Sequence, residues 1–294
     1  MSAPQAVEVA RPGGRTVHVR RRPGSTPPVL AVHGLSSTGG LWEWVLEEAP
    51  DLDLVAPDLS GRGLSTPRSD VSTMAGHAED QLAVLDALGL ERVDVVGMSL
   101  GAFIAVQLAA AHPDRMRTLT LLDGGVPVVR RPTGRDQLEA AFADRLGRLA
   151  TDWPDLATYA GYLVATTAPL LDPTDPLLAR CLARDLERGA DGGRVRLDGR
   201  VLVDDAADVF LTDAAAAALA ALRVPTQLLY AEWSAGAGTP PACTTDEVAA
   251  VVAAHGSLVQ AELLPGHDHA GVVVTRTGAA ASVAALRRSL ARAA

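Results

Sequence analysis

The chain opens on alternation. Val7-Glu8-Val9 and Thr16-Val17-His18-Val19 alternate apolar and polar positions, as strands with one wet face do. The next apolar stretches do not alternate. Pro28-Val29-Leu30-Ala31-Val32 and Leu52 to Ala56 are continuous, the pattern of strands buried on both faces. A helical period runs from about Thr73 to Leu88 and is closed by Gly89. Arg92 to Val96 then reads as strand, Leu100 to Ala111 as helix and Met116 to Leu122 as strand. This repetition predicts a parallel sheet covered by helices on both faces.

The pattern breaks at Gly124-Gly125. From about 126 to 222 only helical periods are visible. Leu138, Phe142, Leu146 and Leu149 share one face, as do Leu156, Tyr159, Tyr162 and Leu163, and prolines at 132, 154, 169, 173 and 176 cut the region into pieces. After Pro225 the alternation resumes, with strands at 226–231 and 258–264 and helices at about 245–255 and 278–291. The expected organisation is a core domain over 1–125 and 223–294, interrupted by a helical insertion over 126–222. A chain of 294 residues suffices for one large α/β domain with such an insertion.

Composition narrows the function classes. Hydrophobic residues make up 48% of the chain, yet no apolar run approaches the ~20 residues of a membrane span. The opening MSAPQAVEVARPGGR has no apolar signal core, so a cytoplasmic location is expected. Cys181 and Cys243 fit neither metal nor redox spacing, and no GxGxxG follows the first buried strand. No metal and no cofactor are expected. The net charge is −9, and no basic cluster carries interleaved aromatics. Nucleic acid and anionic membranes are therefore poor partners; a small-molecule substrate and a monomer or homodimer are expected. Every basic residue is Arg, and that content is assigned no function.

The sharpest motif is Gly97-Met98-Ser99-Leu100-Gly101, placed after a buried strand and at the start of a helix. A turn that tight needs small residues on either side of the serine. It holds Ser99 in a strained backbone with Oγ at the strand's C-terminal end, where the helix N-terminus favours a developing negative charge. His33-Gly34-Leu35-Ser36, Asp58-Leu59-Ser60-Gly61-Arg62-Gly63-Leu64-Ser65 and Leu263-Leu264-Pro265-Gly266-His267-Asp268-His269 each follow another strand.

In this order the four motifs resemble the α/β-hydrolase superfamily, over nearly the whole chain. The resemblance implies an eight-stranded, mostly parallel sheet with an inserted helical cap at 126–222. It implies that Ser99 is the nucleophile, that the backbone N–H groups of Leu35 and Leu100 form the oxyanion hole, and that a late histidine is the base. His33 and Asp58 are then structural residues of their turns. The register G-x-x-H from Gly266 selects His269 over His267. His18, His77, His112 and His255 carry no motif and read as ordinary surface or boundary residues.

The acid has two candidates. In many relatives the strand before the last ends in G-x-x-D, but here that register gives Ala231-Glu232-Trp233-Ser234, and a hydroxyl supplies no charge. Glu232 lies two residues earlier. Asp123 ends the preceding strand, from which some relatives take their acid. Both satisfy the chain order serine, acid, histidine. The preference goes to Asp123, a short side chain on a rigid strand end, over Glu232 on a loop followed by Gly236 and Gly238. Asp246 and Asp268 are weaker candidates, the first at a helix start and the second beside the base.

The resemblance implies a serine hydrolase acting on a small to medium carboxylic ester. A thioesterase, a lactone or amide hydrolase and a C–C bond hydrolase share the same groups. A non-hydrolytic ligand-binding protein or cyclase of the same fold is the alternative from another class. Of the ten aromatics, Phe142, Trp153, Tyr159, Tyr162 and Phe210 lie in the insertion, and Trp42 and Trp44 follow the HG turn. Trp42, Trp153, Tyr159 and Tyr162 are the expected substrate contacts, with packing inside the cap as the competing explanation.

Overall fold

The computed structural model describes residues 4–127, 132–189 and 192–292. The strands, in chain order, are β1 (Gln5–Arg11), β2 (Arg15–Arg22), β3 (Val29–Val32), β4 (Leu54–Pro57), β5 (Val93–Met98), β6 (Met116–Leu122), β7 (Leu186–Gly189), β8 (Gly192–Val195), β9 (Thr226–Trp233) and β10 (Val259–Asp268). The helices are α1 (Glu43–Glu48), α2 (Met74–Ala87), α3 (Leu100–Ala111), α4 (Arg135–Ala141), α5 (Ala143–Gly147), α6 (Leu156–Thr166), α7 (Pro176–Asp185), α8 (Gly199–Leu211), α9 (Ala214–Ala220), α10 (Thr245–His255), α11 (Gly271–Val274) and α12 (Arg276–Arg292).

Eight strands form one sheet in the order β1-β2-β4-β3-β5-β6-β9-β10. β1 and β2 pair antiparallel, as do β2 and β4, and every later pair is parallel. The continuous apolar runs explain the centre of this sheet. In β3, Leu30 and Val32 enter the core on one face and Val29 and Ala31 the core on the other. One face packs against α2, α3, α9 and α10, the other against α1, α11 and α12. Parallel strands put their C-terminal ends on one edge, where β3, β5, β6 and β10 deliver the HG turn, the serine turn, Asp123 and His269.

Two features of the insertion differ from the sequence reading. The region is not helical throughout, because β7 and β8 form an antiparallel hairpin with Leu186 opposite Val195. Two four-residue strands that themselves contain glycines give too short a pattern to show any period. The boundary at 222 also shifts. Ala215, Ala218 and Leu219 of α9 are buried in the same apolar core as Ile104 and Leu108 of α3, so α9 belongs to the helical layer of the sheet. Among the described residues no helix is long and apolar enough to cross a membrane.

Candidate active site

Ser99 sits between β5 and α3 with φ 55° and ψ −120°. A non-glycine residue with positive φ is strained and needs its surroundings to hold it. Here the surroundings are two glycines. A Cβ at Gly97 would lie 2.3 Å from the Gly101 carbonyl oxygen, and one at Gly101 would lie 2.0 Å from that of Val32. The Ser99 N–H donates to the Leu122 carbonyl at 3.0 Å, which ties the turn to β6.

From that turn a continuous line of hydrogen bonds runs outward. Ser99 Oγ is 2.9 Å from His269 Nε2, and His269 Nδ1 is 2.5 Å from Asp123 Oδ2. The buried carboxylate acceptor fixes the tautomer with the proton on Nδ1, leaving Nε2 as the acceptor for the serine hydroxyl. Asp123 is itself held. Its N–H donates to the Leu229 carbonyl at 2.8 Å, and its Oδ1 accepts from the Ala231 N–H at 2.9 Å. The carboxylate thus takes over the β6–β9 ladder where the backbone pairing stops at Leu122 and Leu229. Asp123 also has positive φ, 44°, a region that aspartate tolerates better than most residues.

His269 depends on an irregularity in β10. The register with β9 shifts between Leu264, opposite Ala231, and Asp268, opposite Trp233. The extra residues form a bulge around Gly266, whose φ is 73°. Such bulges re-aim the side chains that follow. Glu232 does not reach His269. It is exposed, and its Oε2 accepts from the Gly266 N–H at 2.7 Å, clamping the bulge to β9. His267 Nε2 pairs with Thr277 Oγ1 at 2.8 Å and its Nδ1 lies 2.9 Å from the Pro265 carbonyl. Asp268 is buried, and its Oδ1 accepts from the Gly271 N–H at 2.7 Å.

Leu100 is the first residue of α3, so its N–H has no acceptor within the helix. Leu35 lies opposite in the HG turn, and both border the same cavity. The turn is held on both sides of Leu35: the Gly34 carbonyl, in the same peptide unit as the Leu35 N–H, accepts from His33, and the Leu35 carbonyl accepts from Arg62 Nε at 3.0 Å, with Arg62 fully buried. The same guanidinium donates to the Ser60 carbonyl at 3.0 Å and pairs with Asp205 of α8 at 2.7 Å. His77 completes this cluster, with Nε2 3.0 Å from Asp205 Oδ2 and 3.1 Å from Ser72 Oγ. His77 is therefore a buried partner of the insertion and not the surface residue that its unmarked sequence position suggests.

The two turn residues hold the edge around the site. His33 Nε2 accepts from the Leu59 N–H at 2.9 Å, and its Nδ1–H donates to the Gly34 carbonyl at 2.8 Å. Burial pushes its pKa down to about 3, so the ring is neutral, as that acceptor role requires. Asp58 accepts from Gly39 N–H at 2.7 Å and Leu64 N–H at 3.1 Å.

A cavity of about 420 Å³ opens over Ser99. Leu41, Trp44, Phe103, Phe142, Val209 and Phe210 line it, together with Arg145, Arg148 and Asp185. The four expected substrate contacts are not on its wall. Trp42 is fully buried in the core that also holds Trp44 and Val45 of α1. Trp153 packs at a tilt against Tyr159 and Tyr162, with ring centroids 5.1 and 5.0 Å away, and Tyr162 donates to the Asp144 carbonyl at 2.7 Å. These aromatics close the insertion on itself, because a short helical piece must bury its apolar stripe somewhere. Arg145, Arg148 and Asp185 had no sequence signal. In a chain whose only basic residue is Arg, an arginine at one position marks nothing.

A family model for the alpha/beta hydrolase fold matches residues 27–152. Lipase LipV of Mycobacterium tuberculosis is 39% identical over 111 residues, 37% of this chain and 42% of that protein. A 2-hydroxymuconate semialdehyde hydrolase of Pseudomonas putida is 35% identical over 99 residues, 32% of this chain and 35% of that enzyme. The chain thus spans less than half the length of these relatives. The crystal structure of E-2-(acetamidomethylene)succinate hydrolase has the same fold, with a TM-score of 0.81 at 20% identity over 98% of this chain and all of that one. The eight-stranded, mostly parallel sheet is that of the α/β-hydrolase fold, and the matched segment, less than half of the chain, carries the HG and serine turns.

Proposed function

We propose that this protein is a serine hydrolase of small to medium carboxylic esters. The observation that carries the reading is the line Ser99 Oγ to His269 Nε2 to Asp123 Oδ2, at 2.9 and 2.5 Å, on the floor of an apolar cavity. In the reaction Ser99 Oγ attacks the ester carbonyl while His269 Nε2 takes its proton. Asp123 keeps the imidazole in the reactive tautomer and stabilises the imidazolium that forms. The tetrahedral oxyanion lies between the N–H groups of Leu35 and Leu100. His269 returns the proton to the leaving alkoxide, an acyl-enzyme remains, and water deprotonated by His269 releases the acid. The partial similarity to a lipase supports an ester. The reading over a ligand-binding member of the fold rests on the serine, base and acid standing in hydrogen-bonded order. The test is fluorophosphonate labelling followed by a panel of p-nitrophenyl esters and acyl thioesters. Wild type is expected to label and to turn over the oxygen esters, and Ser99→Ala to do neither. Near wild-type turnover in that variant would sink the serine mechanism.

A further inference from the structure

Resting on the hydrolase reading, we propose that the cavity holds a carboxylate-recognition subsite made by Arg148 and Arg145, so that the natural ester carries a free carboxylate. Arg148 is 3% exposed and lies on the wall of the cavity that contains Ser99. Its Nη2 donates to the Ser36 carbonyl at 2.5 Å, one residue beyond Leu35. That contact anchors the guanidinium on the HG turn, in the wall of the cavity that holds Ser99. Its Nε–H is buried and has no acceptor among the described residues. A buried donor without an acceptor is costly, and a charged one more so. Arg145 shares the wall and has no hydrogen bond or ion pair among the described residues; its guanidinium lies 5.2 Å from the centre of the Phe142 ring.

The charge balance of the wall points the same way. Apart from the hydrogen-bonded His269 and Asp123, its charged groups are Arg145, Arg148 and Asp185. Two cations face one acid, Asp185, which attracts Arg148 and accepts from Thr38 Oγ1 at 2.8 Å, so one positive charge is left in excess. The guanidinium fork fits a planar carboxylate in two parallel hydrogen bonds. The remaining wall is mostly apolar, with Ser36, Ser37, Thr167 and Ser234 among it, and the volume is modest, which suits a short acyl or alkyl chain ending in one carboxylate.

The test compares matched esters that differ by that charge. Mono-p-nitrophenyl glutarate against p-nitrophenyl pentanoate puts the carboxylate on the acyl side. 4-Acetoxybutanoate against pentyl acetate puts it on the alcohol side. Wild type is expected to favour the anionic member of at least one pair in kcat/KM. Arg148→Gln and Arg145→Gln should each lower the anionic-to-neutral ratio by about tenfold to a hundredfold, the worth of a charge-assisted hydrogen bond. Asp185→Asn should raise the same ratio, because it removes the opposing charge. A merely structural role for these residues would move both esters together and leave the ratio alone. A wild-type ratio near one in both pairs, or a ratio indifferent to both arginine variants, would overturn the subsite. If Ser99 fails to label and no ester is turned over, it is the hydrolase reading that has failed. Calorimetry on Ser99→Ala then decides the subsite alone: monomethyl glutarate should bind and methyl pentanoate should not, and equal binding of the two would remove it.

Discussion

Asp123 and Glu232 show how much a few ångströms decide at the level of single residues. Both are acids at the C-terminal ends of neighbouring strands, and both precede the histidine in the chain. Only Asp123 lies within hydrogen-bond distance of His269 Nδ1, and Glu232 is spent on the Gly266 amide. Asp123→Asn is therefore expected to lower kcat by about four orders of magnitude, through the wrong tautomer and an unstabilised imidazolium. Glu232→Gln keeps an acceptor for Gly266 and should cost less than about tenfold. Steady-state kinetics on the two variants checks the order, and a reversed ranking would move the acid to β9. Asp185 gives a second residue-scale test. Burial raises its pKa from 3.8 to about 6, against the opposing pull of Arg148 and the Thr38 hydrogen bond. Between those values the folded chain holds more protons than the unfolded one, so stability falls as pH rises through the interval and the cost is complete above it. Asp185→Asn should gain on the order of 1–3 kcal/mol at pH 8 and almost nothing below pH 4. Urea unfolding at both pH values measures this, and a gain confined to pH 4 would contradict it.

At the level of elements, what was legible in the sequence is what a period or a tight turn must write there. The sheet core could be read because β3 and β4 are buried on both faces and cannot tolerate a polar position. The serine turn could be read because Gly97 and Gly101 have no room for a Cβ. Gly101→Ala tests that reason directly. Its methyl would overlap the Val32 carbonyl, so β3 and α3 must part, and the variant should lose several kcal/mol of stability and most of its labelling rate together. Thermal unfolding and fluorophosphonate kinetics would show it, and an intact melting temperature would mean that the turn has slack. The bulge in β10 was not legible. Its register shift depends on contacts with β9 and α12, namely Glu232 to Gly266 and His267 to Thr277, which lie far apart in the chain. The β7–β8 hairpin was hidden for a different reason, being too short for a period. The aromatics of the insertion were visible, but their direction was not. Only packing decides that Trp153, Tyr159 and Tyr162 face one another while Phe142 and Phe210 face the cavity.

Across the whole molecule, sheet and insertion meet at a buried charge cluster as well as at apolar surfaces. Arg62 comes from the loop after β4, His77 from α2 and Asp205 from α8, and all three are fully buried. The attraction of His77 and Arg62 holds the Asp205 carboxyl well below the usual carboxylate range despite burial. Arg62 also donates to the Leu35 carbonyl, so one side chain ties the insertion to the HG turn. The two roles separate on mutation. Arg62→Met leaves Asp205 buried with only His77 opposite, and losing one member of a buried pair costs about 3–5 kcal/mol. It also frees the Leu35 carbonyl, one peptide beyond the amide that the proposed mechanism uses, so a loosened HG turn should lower kcat about tenfold or more with little change in KM. Adding Asp205→Leu removes the stranded charge, and replacing both members of a buried pair by apolar residues is often neutral. The double variant is expected to regain most of the lost stability in urea unfolding while its kcat stays low, because the Leu35 carbonyl still lacks its donor. If kcat recovers along with stability, the hold on Leu35 is idle and Arg62 serves docking alone. If neither recovers, the cluster stabilises the sheet edge by packing that leucine and methionine do not reproduce.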